Sequence, residues 1–550
     1  MTGQPRFTAL GKLISILLVA GLVTLGVWMI RRGGTTPATS DAGPEGGAAP
    51  EVTEVKVEVP RLSPPAPFQF KDNIVPIEIS EYAGYAGLIA ANGGLEPTEN
   101  SYFFKNHGFK VRLTISEDED WSELNEGKLA GSVTTVDVLA AYGRQLHVTV
   151  PAQIGFSRGA DGVVVRSDIK RINQLKGKTI ATAQFTEVDF FIRYLAQEAG
   201  LAINALGSLD ATPHPERLNL VYTEDGFGAG DLFLSEIKSG KTRLAGCVTW
   251  EPKVSEVVEG SGGQAHVLTT NRNLLIIADV LIVHRGFAQE QPKVVQGLVQ
   301  GLLEGNRLVR TQPDAYLDVV GRAFKWSRED TKSELANVHL SNLPENLAFF
   351  SGAIDAAGSF GGIYQSAVLA YGSDVIKDPP DPGRFADTSA LQAAEKSGLF
   401  KEQTIAIAPI RSPGGASVEA DPLLSKDIRF LFEPNSAALD QANQENLRNL
   451  EAIKRLVQVS PGSTLLLRGH VDNARVEEFR RMGGEAYVRT QALRAMELSK
   501  NRAGEIRRLL IERHHIEPKR IDIVGRGWEE PAGPNSDLNR RVEVQWFTVE

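Results

Sequence analysis

The sequence predicts a multidomain α/β protein: an N-terminal transmembrane helix, a long α/β region built as two lobes, and a small α+β domain at the C-terminus. Three observations predict it. Leu13–Ile30 is an unbroken run of apolar or small residues without a charge. From about Phe68 to Phe400, short β-rich runs alternate with amphipathic helical stretches, the pattern of strand-then-helix units. Beyond a polar stretch at Pro409–Glu419, a strand, a helix, a strand, a long helix and two further strands complete the chain.

The N-terminal run just spans a bilayer core at about 1.5 Å of rise per residue. Lys12 flanks it on one side and Arg31-Arg32 on the other. A cleaved signal would need small residues soon after the apolar stretch, whereas Trp28-Met29-Ile30-Arg31-Arg32 suits a retained anchor; a cut after Ala38 is the alternative. Arg6 and Lys12 balance the far-side pair, so charge does not fix the orientation. Residues 1–32 are thus a stub and anchor. Residues 33–66 form a flexible linker, because Gly, Ala, Pro and Thr dominate and no large apolar residue precedes Val52.

The two-lobed region is assigned to residues 67–402, with Ile77-Glu-Ile, Lys110–Ile115, Gly162–Arg166, Thr179–Thr182 and Ala278–Val283 as strands. More than three hundred residues exceed one compact core, hence two lobes with mostly parallel sheets. The net charge of −9 argues against a nucleic-acid partner. The single cysteine, Cys247, permits no intramolecular disulfide and sits in the apolar stretch Leu244–Trp250, as a core residue would.

Catalytic motifs are not supported. The Gly-Lys-Thr triplets at Gly177 and Gly240 lack the upstream glycine of a phosphate loop, where Ile172 and Ser235 stand. Gly226, Gly228 and Gly230 have no dinucleotide-type strand before them, and His514-His515, being adjacent, point to different helix faces. The expectation is therefore no enzyme, no cofactor and no metal.

Five segments run in order through the middle region. They are Ser80–Leu88 with its glycine-rich turn, Phe103–Val111, Leu124–Ser132, Leu175–Ala181 and Thr249-Trp-Glu-Pro252. Together they resemble type 2 periplasmic solute-binding proteins of the nitrate, sulfonate, taurine and thiamine-precursor group. That resemblance implies two lobes closing by hinge motion over a small anionic solute, held at helix N-termini beyond the strand ends. By matching, the cleft residues are Tyr82, Tyr85, Thr134 and Thr135 from the first lobe, with Gln184, Thr186, Trp250 and Glu251 from the second. Ordinary roles compete: Thr135 as a helix cap, Trp250 as core, Tyr85 as packing between lobes and Glu251 as a hinge group.

After a linker at 403–424, residues 425–550 carry Ile428-Arg-Phe-Leu-Phe432, Gly469-His-Val-Asp472, Leu498-Ser-Lys-Asn-Arg502 and Asn539-Arg-Arg541. These blocks resemble the OmpA-like peptidoglycan-binding domain. The resemblance implies that Asp472 receives the ammonium of the diaminopimelate stem and that Arg502 clamps its carboxylate, with Asn539, Arg540 and Arg541 as the closing motif. An ion pair at a sheet edge is the competing reading of Asp472 and Arg502. Two departures stand out: an insertion at 475–497, and Val471 and Ala495 where the family has threonine and asparagine.

The combined expectation is a single-pass inner-membrane protein with its bulk in the periplasm. It would tether a solute-binding module to peptidoglycan for ABC-type uptake, near an ABC permease. A ligand sensor or envelope scaffold is the alternative. An ion-driven stator is disfavoured because Leu13–Ile30 holds no ionisable residue.

Overall fold

The structure, a computed structural model, describes residues 51–116, 121–352, 358–407, 422–432, 436–460, 462–533 and 536–547. The expected helix at Leu13–Ile30 lies outside the described residues. Among the described residues no helix is long and apolar enough to cross a membrane.

Three sheets organise the chain. The first has the order β12-β4-β11-β3-β1-β2, with β1 at Ile74–Ile79, β2 at Lys110–Ile115, β3 at Gly131–Thr135, β4 at Val148–Ser157, β11 at Ala278–His284 and β12 at Val338–Leu340. The second has the order β10-β5-β9-β6-β8-β7, with β5 at Asp161–Arg166, β6 at Thr179–Ala183, β7 at Ile203–Ala205, β8 at Leu218–Thr223, β9 at Gly246–Trp250 and β10 at Ala265–Thr270. Strands followed by crossover helices run parallel, as in β1/β2, β1/β3, β6/β8 and β6/β9. The strands that carry the chain between lobes, β4, β5, β10 and β11, pair antiparallel. The sheets are therefore more mixed than strand–helix alternation predicts, because the chain crosses out through Ser157–Asp161 and returns through Asn271–Ile277.

Burial explains the apolar runs. The five residues of β6, Thr179-Ile-Ala-Thr-Ala183, are buried on both faces, as expected where helices cover a parallel sheet. Helix Pro292–Thr311 starts with proline at its first turn and buries Leu298, Val299, Leu302 and Leu303. Its Gly297, Gly301 and Gly305 share one face, against which Phe109, Phe103 and helix Ala86–Asn92 pack. At Gly305 a Cβ would lie 1.9 Å from the Gly87 carbonyl oxygen, so the close helix crossing requires glycine there. Cys247 is buried in β9, and burial pushes its thiol up.

Residues 51–66, expected within a flexible linker, form an extended strap. Thr53 N–H donates to the Tyr222 carbonyl at 2.8 Å on the second lobe, and Leu62 N–H donates to Gln145 Oε1 at 2.8 Å on the first. Ala66 N–H reaches the Asn125 carbonyl at 2.9 Å. Composition misses this because the partners are amide side chains and carbonyls far away in sequence.

The third sheet, β13-β16-β14-β15, belongs to the C-terminal domain: β13 is Leu424–Ile428, β14 Thr464–Gly469, β15 Ile521–Gly525 and β16 Val542–Phe547. Its first strand therefore precedes the predicted 428–432. Leu424 pairs with Trp546 and Ile428 with Val542, so the ladder is used up before Leu431, which is exposed. Helices Gln444–Val459 and Val476–His514 cover the sheet, the latter broken at Gly483 and Gly484. The insertion 475–497 falls mostly in this helix and leaves Met482 and Leu493 exposed. The domain docks on the second lobe. Ile172 N–H donates to the Leu423 carbonyl at 3.0 Å. Asn173 exchanges two 2.8 Å hydrogen bonds with the Ser425 backbone, and Lys426 reaches Glu198 at 3.4 Å. A further bond runs from Leu275 N–H, in the return crossing, to the Val459 carbonyl at 2.6 Å.

Candidate functional sites

The interlobe cleft is assembled from strand ends and the two crossings. In the outgoing crossing, Asp161 accepts from Ser157 Oγ at 2.5 Å and from Asn271 Nδ2 at 2.7 Å. Asn271 Oδ1 in turn accepts from the backbone N–H of Gly159 and Asp161. The two crossings are thus knitted together at one buried carboxylate. Tyr85 Oη donates to Asp279 Oδ1 at 3.2 Å, at the start of β11. Tyr82 and Tyr85 lie edge-to-face with centroids 5.4 Å apart. Burial, then the charges of Asp279 and Asp161, push the Tyr82 phenol up, and its hydroxyl is buried without a completed hydrogen bond.

Thr134 and Thr135 end β3. Thr135 precedes helix Val136–Tyr142, yet its side chain makes no capping bond. Both hydroxyls are buried and neither completes a hydrogen bond, though that of Thr135 faces Asp137. Next to them Asp137 is 0% exposed, and neither carboxylate oxygen completes a hydrogen bond. Desolvation pushes its carboxyl up to about 7; the neighbouring Thr135 hydroxyl opposes this only in part, while Asp161 and Asp189 add to it. Asp161 is likewise raised by burial to about 6.

Across the cleft, Thr186 Oγ1 donates to the Ala183 carbonyl at 2.8 Å, bracing the turn before helix Glu187–Glu198. Phe185 in that turn has φ +67°, and its N–H donates to Asp189 at 3.1 Å. Asp189 is held by Arg193 at 2.7 Å, and Arg193 also donates to Tyr222 Oη at 2.6 Å. Gln184 has a different engagement: its amide exchanges two 2.8 Å bonds with the Lys56 backbone, pinning the strap. It lines an open depression of about 680 Å³ beneath the strap, with Val55, Arg193 and Tyr371. Trp250 packs on Phe227 at 5.3 Å and against Gly226. Glu251 accepts from Ser255 N–H and Oγ at 3.0 and 2.9 Å, capping helix Lys253–Gly260. Its charge reaches Glu334 of the first lobe, whose carboxyl is raised to about 7 by burial and then by Glu251.

The structure thus brings Tyr82, Tyr85, Thr134 and Thr135 together and commits Gln184, Trp250 and Glu251 to structural contacts. Sequence reasoning missed Asp137, Asp161, Asp189 and Asp279. A signal existed: Asp161 is the first residue of β5 and Asp279 the second of β11, each just ahead of an apolar run, where a charge marks the strand end. These carboxylates stand where the sequence places the solute, and the nearby Arg193 is paired with Asp189.

The second site lies at the end of β14. Asp472 Oδ1 accepts from Ala474 N–H at 3.0 Å, and Oδ2 accepts from Arg540 Nε at 2.8 Å. Arg502 stands over the Phe432 ring at 4.9 Å and donates to the Ser436 carbonyl at 3.1 Å. Burial and then Arg540 hold the Arg502 guanidinium below its usual range, with Asp472 opposing them. Asn539 and Arg541 are structural here. The Asn539 amide braces Ala532 and Gly533, and Arg541 pairs with Asp427 at 3.1 Å and the Glu530 carbonyl at 3.3 Å.

Residues 431–545 match the OmpA family. The OmpA-family domain therefore contains Asp472, Arg502 and Arg540 within its matched span. Comparison with curated proteins gave no match. Among solved structures, the chain is similar to the periplasmic aliphatic sulphonate binding protein SsuA from Escherichia coli, with 15% identity, a TM-score of 0.44, and coverage of 58% of this chain and 99% of that one. It is also similar to the periplasmic nitrate-binding protein NrtA from Synechocystis, with 11% identity, a TM-score of 0.42, and coverage of 60% and 89%. A third is the ligand-binding component of an ABC-type import system from Staphylococcus aureus, with 13% identity, a TM-score of 0.42, and coverage of 58% and 98%. Within the OmpA-family domain the partner of Asp472 in this state is Arg540, which sequence reasoning placed only in the closing motif.

Proposed function

We propose that this chain is a cell-envelope protein that couples a small-solute-binding, two-lobed module to a peptidoglycan anchor, with its bulk in the periplasm. The observation that carries the reading is the grouping of Asp472, Arg502 and Arg540 at one strand end of the OmpA-family domain. A zwitterionic stem side chain needs one fixed anion and one fixed cation, and this group supplies both. Arg540 holds Asp472 in the free state and would give way to the ligand's ammonium. The two-lobed module supplies the solute site, at the buried crossing between sheets. Leu13–Ile30 would anchor the chain in the inner membrane, beside an ABC permease that receives the solute.

The test is co-sedimentation of the full chain, in mild detergent, with purified sacculi. Wild type is expected in the pellet and Asp472→Ala or Arg502→Ala in the supernatant. Equal sedimentation of all three would refute the pocket. A reporter fused at Thr36 tests the anchor: activity of a cytoplasm-specific reporter there would overturn the periplasmic orientation.

A sensor or scaffold reading gains support from one feature. The strap touches both lobes, helix Phe360–Tyr371 packs on helices of both, and the OmpA-family domain bonds the return crossing at Leu275. These ties would transmit lobe closure to the wall-binding domain, or restrict closure altogether.

A further inference from the structure

We infer that the cleft takes a small organic cation, an amine or amidine with several N–H donors. This deepens the solute-binding reading above and rests on it. Asp137 is the starting point. Its carboxylate is fully buried and neither oxygen completes a hydrogen bond; the donors of the fold close to it are the Thr135 hydroxyl and its own backbone N–H, both neutral. An isolated buried charge is among the costliest features a fold can keep, so the group either holds a proton or takes a partner from outside the fold, and above its raised range only the second is open to it. The buried hydroxyls of Thr134, Thr135 and Tyr82, none of which completes a hydrogen bond, belong to the same region, Thr135 beside Asp137 and Tyr82 beside Ser157. They add acceptors for N–H groups that Asp137 leaves over.

The surroundings are acidic from both lobes and from the crossings. Asp137 on the first lobe lies within electrostatic reach of Asp161 at the outgoing crossing and Asp189 on the second lobe. Tyr82 feels Asp279, Asp161 and Glu187. At the margin, Glu251 and Glu334 face each other from opposite lobes. Against these, Arg193 is consumed by Asp189 and Tyr222. Arg158, in the outgoing crossing, donates to the Arg272 carbonyl and to Asn273. The edge-to-face pair Tyr82 and Tyr85 provides ring faces that suit a cation.

A metal ion fits less well than an organic cation. Among the described residues, the one group of three carboxylate or imidazole side chains with ligand atoms within 4.8 Å of one another is His470, Glu530 and Glu543, in the OmpA-family domain. There Arg468 already bridges Glu543 at 2.7 Å and Glu530 at 2.7 Å. The cleft carboxylates are spread more widely, as a ligand of several heavy atoms requires.

The test is thermal shift followed by calorimetric titration of the full chain in detergent at pH 8. The probes are putrescine, agmatine and methylguanidine as cations, and nitrate and ethanesulfonate as anions. At least one cation is expected to raise the melting midpoint, with Asp137→Asn weakening it by about 30-fold or more, as truncation of a buried charge pair does. Asp137→Asn should also melt no lower than wild type without ligand, because the removed charge is unpaired; this separates a ligand group from a structural one. Tyr82→Phe, which keeps the ring, is the second variant and should weaken the cation by less. Binding of nitrate or ethanesulfonate with no cation binding would overturn the cation and keep a solute-binding module. Cation binding unchanged in Asp137→Asn would overturn the site. No response to any probe would overturn both this inference and the solute-binding reading.

Discussion

Replacing Asp137 by asparagine should stabilise the folded protein, and by an amount that grows with pH. The carboxyl moves from an ordinary 3.8 to about 7 on folding, driven first by desolvation. The facing groups are Asp161 and Asp189, which add to the shift, the Thr135 hydroxyl, which opposes it, and Tyr371, which shares its field. A raised carboxyl favours the folded state while protonated, and that advantage is lost as pH rises from about 4 to about 7. At about 1.4 kcal/mol per unit, the wild-type deficit relative to a neutral isostere is about 1.5 kcal/mol at pH 5 and about 4 kcal/mol at pH 8. Calorimetric melting of both proteins at the two pH values measures it. The variant is expected to gain clearly more at pH 8 than at pH 5. A variant less stable than wild type at pH 8 would refute the reasoning, since it would show that the carboxylate has a stabilising partner.

Three further outcomes follow from contacts already described. Arg540→Ala should leave sacculus binding in place, or strengthen it, because Arg540 competes for Asp472 in the free protein; loss equal to that of Arg502→Ala would make Arg540 a ligand-binding group. Gly305→Ala should cost about 1–3 kcal/mol by urea unfolding, since its Cβ would meet the Gly87 carbonyl at 1.9 Å; a neutral result would mean the helices separate freely. Asn173→Ala removes two interdomain bonds and should cost about 1–3 kcal/mol at that interface, seen as faster amide exchange across Leu424–Ile428; unchanged exchange would mean the docking depends on other contacts.

The two-lobed α/β region and the C-terminal OmpA-family domain were readable because strand–helix alternation is a local signal. The apolar stripe of Ile506, Leu509 and Leu510 and a strand ahead of Asp472 were legible for the same reason, although β14 ends at Gly469, three residues before Asp472. What stayed hidden depends on distant partners. Gln184 looks like a cleft residue from its place after β6, yet Lys56 takes its amide. Glu251 is committed to Ser255, and Trp250 to Phe227. The charge of the cleft was concealed most, because Asp137, Asp161, Asp189 and Asp279 are scattered over more than a hundred residues of sequence and meet only when two sheets face each other. Ile428-Arg-Phe-Leu-Phe432 is itself a good strand sequence, and only pairing with β16 sets the strand at Leu424–Ile428 instead.

The most direct test of a wall-tethered solute binder is to pellet the full chain with sacculi, in the presence of the best-binding labelled amine, and count solute per protein in the pellet. Wild type is expected to carry about one solute per chain. Arg502→Ala should remain in the supernatant, and Asp137→Asn should pellet with clearly less solute per chain than wild type. Wild type that stays in the supernatant, or pellets without solute at saturating concentration, would contradict the coupling of the two sites in one protein.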